Sequence, residues 1–338
     1  MSDKNPRGKA HESSDQNESF EEIDFTSSPS VQKVFTKTRR KQTFKYVFIA
    51  FLTTAIVITA IIFGSQAILN NKIEKHQQNL LKETVYGANV HSSESYYIHG
   101  MFSVTEETKY RKQLGDRYII WNKKLQRIPL FGSIKTVSQG SGMTGINRMD
   151  KEAKRTVRYN DFNNEREIEF YYPDVSYSPI PKELDIALGL DNDKLIEVAV
   201  SFKHPMTLDQ LSKQLGYKNV NWLWVDTTSQ SKKEEINKIE VASAKTKWGE
   251  DAFGFDVSGD LPYTTETGQV FISNMKELSN SNSTIKKALK TIRENTKNSN
   301  GELLISGAVV TGTPEELERF KELKFIRATV LGATIDRY

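Results

Sequence analysis

The sequence predicts an α+β protein on a single transmembrane helix. Its extracytoplasmic domain holds two strand–helix–strand units of the split βαβ kind, preceded by a β-rich region. Three observations predict this. Residues 46–69 contain no charged side chain. Residues 92–172 are rich in aromatic and β-branched residues broken by glycine and polar turns. Residues 194–227 and 302–338 each read as strand, capped helix, strand.

The uncharged run is YVFIAFLTTAIVITAIIFGSQAIL, 24 residues. At about 1.5 Å per residue it reaches roughly 36 Å, enough to cross a hydrocarbon core of about 30 Å with some tilt. A helix suits it because backbone polar groups in lipid bond within their own segment. A buried core helix rarely runs this long without a charge. A signal peptide has a shorter apolar region and a small-residue cleavage site nearer the terminus. Lys33, Lys37, Arg39, Arg40, Lys41 and Lys45 precede the run, and only Lys72 and Lys75, offset by Glu74, follow it closely. The excess of positive charge places the N-terminus in the cytosol and the C-terminal domain outside a cell membrane crossed once. Arg39, Arg40, Lys41 and Lys45 are the candidate membrane-anchoring residues, suited to the anionic headgroups of the lipid bilayer.

Residues 1–45 form the cytosolic part. Residues 1–30 hold seven serines and few apolar residues, a composition that cannot bury enough surface to fold alone, so residues 1–45 are expected to be a largely disordered, basic-flanked tail. Within it ESFEEIDF, residues 18–25, sets Phe20, Ile23 and Phe25 among acidic groups, and Val31, Val34 and Phe35 share one helical face. Two readings stand side by side: a solvated tail with a basic membrane anchor, or a short linear motif that folds onto a cytosolic partner. On the second reading these six residues are the partner-binding set.

Beyond the span, residues 70–84 read as a helical stalk, with Ile73, Leu80 and Leu81 as an apolar stripe. Residues 85–190 form the β-rich region, with candidate strands at 95–104, 117–121, 128–137 and 166–172. Residues 191–338 form the α+β domain. There the apolar run Leu195–Phe202 reads as a buried strand. Thr207 caps a helix with Gln210 as its capping-box partner, Leu208, Leu211 and Leu215 form the stripe, and Val220–Val225 returns as a strand. The second unit repeats the logic: strand Leu303–Val310, cap Thr313 with Pro314 at the first helical position and Glu316 at the box position, then strand Phe325–Ile335. Between the units, Phe271, Met275 and Leu278 mark one amphipathic helix, and Ile285, Leu289 and Ile292 another. A small sheet covered by helices on one face follows.

Charge and composition restrict function. The chain has 47 basic and 43 acidic residues, of which nine and seven lie in residues 1–45. The near-balance beyond the span gives no bulk reason for direct nucleic-acid binding. The absence of cysteine excludes disulfides, thiolate metal sites and cysteine catalysis. His11, His76, His91, His99 and His204 are scattered and form no helix-borne zinc pair. His91 and His99 meet only if a hairpin brings them together. Gly140-Ser141-Gly142 lacks the spacing of a nucleophile elbow and reads as a loop. No phosphate-binding or dinucleotide fingerprint is present, and no cofactor or metal site is expected. Asp191 and Asp193 frame a turn without continuing as a calcium loop. Glu315 and Glu316 sit in a first helical turn, where they favour the macrodipole. Trp222 and Trp224 alternate on a strand and face one side, Leu223 the other. They form a covered core or a ligand-stacking platform.

ISGAVVTGTPEELERF (305–320) with FIRATVLGA (325–333), and LIEVAVSFKHPMTLDQL with VNWLWVDT before them, resemble the C-terminal domain of the sigma-factor-regulator family, membrane-anchored anti-sigma-like proteins of Gram-positive bacteria. The resemblance covers roughly residues 35–70 and 155–338 and is most specific at Trp222–Asp226 and Gly307–Thr313. It implies a regulator, not an enzyme. Its cytosolic part would hold an extracytoplasmic-function sigma factor inactive in response to the state of the cell envelope. Release would come by conformational change, a second membrane protein or proteolysis. The chain departs from many such proteins in its short cytosolic part and in lacking the histidine–cysteine zinc motif. The alternative function class is an envelope binding or scaffolding protein with no sigma-factor contact. An envelope enzyme is the third class, and nothing in the sequence assigns its residues.

Overall fold

The computed structural model describes residues 29–80, 85–139, 146–241, 244–257, 262–280, 282–299 and 301–338. Phe20, Ile23, Phe25, Leu81 and the Gly140-Ser141-Gly142 loop lie outside the described residues, as do the side chains of Val31 and Leu80. The chain divides into two compact units, Met1–Phe63 and Gly64–Tyr338.

In the first unit the described chain is one helix. Helix α1 (Pro29–Leu80) starts at a proline, whose missing N–H is not needed in a first turn. Residues 30–45, expected in a largely disordered tail, are therefore helical. This stretch has no glycine and no further proline, and its lysines, arginines and glutamines lose little rotamer freedom in a helix. Every side chain from Lys33 to Phe63 is exposed, and the helix is long and apolar enough to cross a membrane. The Thr53 and Thr54 hydroxyls donate to the carbonyls of Ile49 and Ala50, at 3.0 and 2.8 Å. Both are thereby satisfied inside the helix, as a hydrocarbon environment demands.

The second unit takes in the last turns of α1 and everything after them. Strands β1 (Val90–His99), β2 (Ser103–Leu114), β3 (Arg117–Pro129) and β4 (Lys135–Gln139) form an antiparallel meander in chain order. Three sequence expectations change here. Residues 95–104 are two strands, split at Gly100–Phe102, and residues 128–137 are split by a turn in which Gly132 has φ +91°, a conformation that costs a residue without Cβ nothing. β2 went unpredicted because its inward face reads as polar: Glu106, Thr108 and Lys112 are buried between Val104 and Leu114. His91 and His99 occupy one strand, so no hairpin brings them together, and His91 lies 3.3 Å from Asp256 instead.

After the hairpin of β5 (Ile146–Asp150) and β6 (Arg155–Tyr159) come the short β7 (Glu169–Phe170) and α2 (Leu184–Leu188). Then follow β8 (Lys194–Thr207), α3 (Leu208–Gln214), β9 (Val220–Val225), α4 (Gln230–Asn237), β10 (Lys247–Trp248) and β11 (Gly254–Asp256). The chain closes with α5 (Thr265–Ser279), α6 (Ser283–Asn295), β12 (Leu304–Gly312), α7 (Pro314–Leu317) and β13 (Ile326–Asp336). β7 pairs with β10. Five strands form one sheet in the order β11-β9-β12-β8-β13, every neighbour antiparallel. β8 and β9 thus run parallel with β12 between them, and β12 and β13 run parallel with β8 between them. Each pair is joined through a capped helix. The Thr207–Gln210 and Thr313–Glu316 capping boxes are both formed.

One sheet face packs on helices. Val198, Val200, Leu223, Val225, Ala308 and Val310 meet Leu211, Phe271, Met275, Leu289, Leu317 and Phe320 in a single core. The other face is covered by the segment before the sheet, where Ile168, Phe170 and Tyr171 lie over Ala199, Val309, Ala328 and the two tryptophans. Phe170 stacks on Trp224 with ring centroids 4.9 Å apart and on Trp222 at 5.9 Å. The tryptophans are only 2% exposed, so they are core and offer no stacking platform. Gly307 admits them: a Cβ there would lie 2.5 Å from the Val200 carbonyl oxygen and 3.1 Å from the Trp224 ring.

Candidate functional site at the helix–sheet junction

The last residue of the uncharged run and residues expected to be a stalk are packed on protein. Leu69 is fully buried with Val104, Ile128 and Leu130, and Ile73 joins them. The Lys72 ammonium donates to the carbonyls of Pro129 and Gly132, at 2.8 and 3.1 Å. One turn further on, His76 reaches the middle of the meander. Its Nε2 lies 2.9 Å from Glu106 and 3.2 Å from Gln126 Oε1. Gln77 donates to the Tyr97 hydroxyl, which donates to Glu106 at 2.9 Å.

Glu106 is completely buried, which opposes its charge. The hydrogen bonds from His76, Tyr97 and Ser95 outweigh that burial and hold its carboxyl below the usual range. The same contact, chiefly the hydrogen bond to Glu106, raises the His76 imidazole above its ordinary value against the opposing effects of burial and Lys124. The junction is thus a charge-assisted clamp whose strength depends on a histidine.

The far half of β2 grips the five-stranded sheet. Lys112 Nζ lies 2.7 Å from Glu197 of β8, both nearly inaccessible to solvent, and 3.8 Å above the Trp121 ring. Asn89 donates to Glu197 at 3.0 Å, and the Ala333 amide donates to it from β13. The Thr311 hydroxyl accepts from the Gly115 amide at 2.9 Å and donates to Asn221. Leu114, Trp121, Leu195 and Ala333 form the apolar part of this contact. One strand therefore holds α1 through Val104 and Glu106, and the large sheet through Lys112 and Leu114. Alternation along β2 puts these groups on one face. The same charged face is why sequence reasoning passed over them. Their even spacing between Val104 and Leu114 was the available signal.

The sequence-predicted site residues lie elsewhere. Val34 and Phe35 are 64% and 59% exposed on α1, and Arg39, Arg40, Lys41 and Lys45 are exposed on the same helix. Phe20, Ile23 and Phe25 are outside the described residues. Among the described residues no group of three or more His, Cys, Asp or Glu side chains is placed to hold a metal ion.

Residues 189–333 match the family model described as sigma factor regulator C-terminal. No curated protein and no solved structure matches the chain. The family model spans the five-stranded sheet from before β8 to Ala333 of β13, and the family is regulatory rather than enzymatic. Glu197 lies within the matched residues, while its partner Lys112 lies on the meander before them. The buried ion pair is one polar link between the matched residues and the strand that holds the end of α1.

Proposed function

We propose that the chain is a transmembrane anti-sigma-like regulator that sequesters or controls an extracytoplasmic-function sigma factor in response to the state of the cell envelope. The observation that carries this reading is the sigma factor regulator match over residues 189–333 on a unit that also packs the end of α1 through Leu69, Lys72 and His76. A regulator anchored by one helix needs a mechanical connection between that helix and its outer domain, and β2 supplies one. On this reading residues 1–45 are cytosolic, α1 is the single anchor of a Gram-positive cell membrane, and the regulator domain is extracytoplasmic, as the basic residues before the apolar run favour. The sigma factor binds Phe20, Ile23, Phe25, Val31, Val34 and Phe35 as a short amphipathic segment, and Arg39, Arg40, Lys41 and Lys45 hold the helix start at the lipid headgroups.

The test is affinity capture of the tagged full chain from mild-detergent membranes, beside a variant with Phe20, Ile23 and Phe25 changed to alanine. A sigma factor recovered with the parent chain and lost with the variant is the expected result. Recovery of envelope proteins alone, unchanged by the substitutions, overturns it.

A further inference from the structure

Among the described residues the meander ends in an exposed apolar cap. The β1–β2 turn presents Met101 and Phe102, 56% and 54% exposed, and the β3–β4 turn presents Phe131, 81% exposed. The two turns form one surface, since the Leu130 amide donates to the Phe102 carbonyl at 2.8 Å. Ile98 on β1 is exposed as well. Large aromatic side chains clustered at hairpin tips cost solubility unless something apolar receives them.

The position of the cap beside α1 names the receiver. Leu69, the last residue of the uncharged run, packs on Val104, Ile128 and Leu130 next to the tips, and Lys72 caps the β3–β4 turn through the Pro129 and Gly132 carbonyls. His76, seven residues further along the helix, meets Glu106 and Gln126, farther from the tips along β2 and β3. Within the second unit the hairpins therefore lie along the end of α1 with their tips on the Leu69 side and away from His76, and Ser65 is buried in this unit too. From Ser65 to Leu69 the helix rises about 6 Å, close to the depth of roughly 5–10 Å at which interfacial apolar side chains sit below headgroups. Arg127 and Lys135, paired across β3 and β4 just behind the tips, are exposed.

We propose that Met101, Phe102 and Phe131 insert into the outer interface of the bilayer that α1 crosses, with Arg127 and Lys135 on the headgroup phosphates. The regulator unit is then held to the membrane at two places, the helix and the tips, and its orientation on the surface is fixed. This inference rests on the reading of α1 as a membrane span.

The natural chain has no cysteine, so single cysteines report cleanly. Met101→Cys, Phe131→Cys, Ala55→Cys in the uncharged run and Lys290→Cys at an exposed position of α6 are each made in the full chain. They are labelled with an environment-sensitive fluorophore and reconstituted into vesicles of phosphatidylcholine and phosphatidylglycerol. Quenching by an acyl-chain-attached nitroxide and by aqueous iodide is then measured. The expected result is blue-shifted emission at positions 101 and 131, quenched by the lipid-borne nitroxide and shielded from iodide, with position 290 showing the reverse. Iodide quenching at 101 and 131 equal to that at 290 overturns the proposal. Shielding from both quenchers also overturns it, since a protein surface then covers the tips. If position 55 also escapes the lipid-borne nitroxide, the span itself is wrong and the inference falls with it. If position 55 is quenched and 131 is not, only the tip insertion fails.

Discussion

His76 is the residue on which the junction's response to its surroundings turns. It faces Glu106 and Gln126 on the meander, with Lys124 opposing its charge. Its value in the folded protein is raised above 6.5 by the Glu106 hydrogen bond. The stability it contributes is therefore full below about pH 6.5 and is lost as pH rises through the folded value. Glu106 is lowered below 4.5, so its contribution is full above that and is lost as pH falls. Both contributions are complete only between about pH 4.5 and 6.5. A urea-denaturation series on the detergent-solubilised chain should show the second unit gaining stability from pH 8 to pH 6, and His76→Gln should remove most of that gain. An unchanged pH profile in the variant would exclude His76 as its source.

At the scale of the element, two kinds of local chemistry build the regulator sheet. The helices that connect its parallel pairs start at threonine capping boxes, and Thr313 accepts from the Glu316 amide while Glu316 bonds back to the Thr313 amide. Replacing Thr313 with alanine should cost about 1 kcal/mol, read as a shift in the urea midpoint. β12 carries a different constraint. Gly307 leaves room for the Trp224 and Phe170 rings against the sheet, and Gly307→Ala forces a shift of the Val200 backbone or the indole. An overpacking cost of about 1–3 kcal/mol follows, accompanied by a change in the fluorescence of the buried tryptophans. A variant as stable as the parent would show that the ring stack adapts freely.

Over the whole second unit, the Lys112–Glu197 pair joins the meander to the regulator sheet. Removing one charge strands the other in a buried site, at about 3–5 kcal/mol, whereas replacing both with apolar residues of similar volume is close to neutral. Lys112→Met and Glu197→Leu should therefore each destabilise strongly, and the double variant should recover most of the loss. Additive losses in the cycle would mean that the pair is not coupled. The double variant also separates fold from function. On the proposed function, if β2 carries information between α1 and the five-stranded sheet, sigma-factor control changes even though stability is regained.

Sequence alone determined what depends on neighbours along the chain. The uncharged run, the basic residues before it, the two capping boxes, the four connecting helices and the alternation of Trp222 with Trp224 are all local patterns, set by hydrophobic periodicity and backbone capping. The resemblance carried by residues 305–333 rests on the same local strings and falls within the matched span. What only the tertiary structure decided involves partners far apart in sequence. Glu106 and Lys112 read as solvated strand residues until His76, Glu197 and Trp121 are brought to them. Ile73 reads as part of a free stalk until Ile128 and Leu130 pack on it. Trp222 and Trp224 read equally as core or platform until Phe170 covers them. A buried charge is stable only beside its partner, and no pattern along β2 states where that partner lies, because burial is a property of the packed chain.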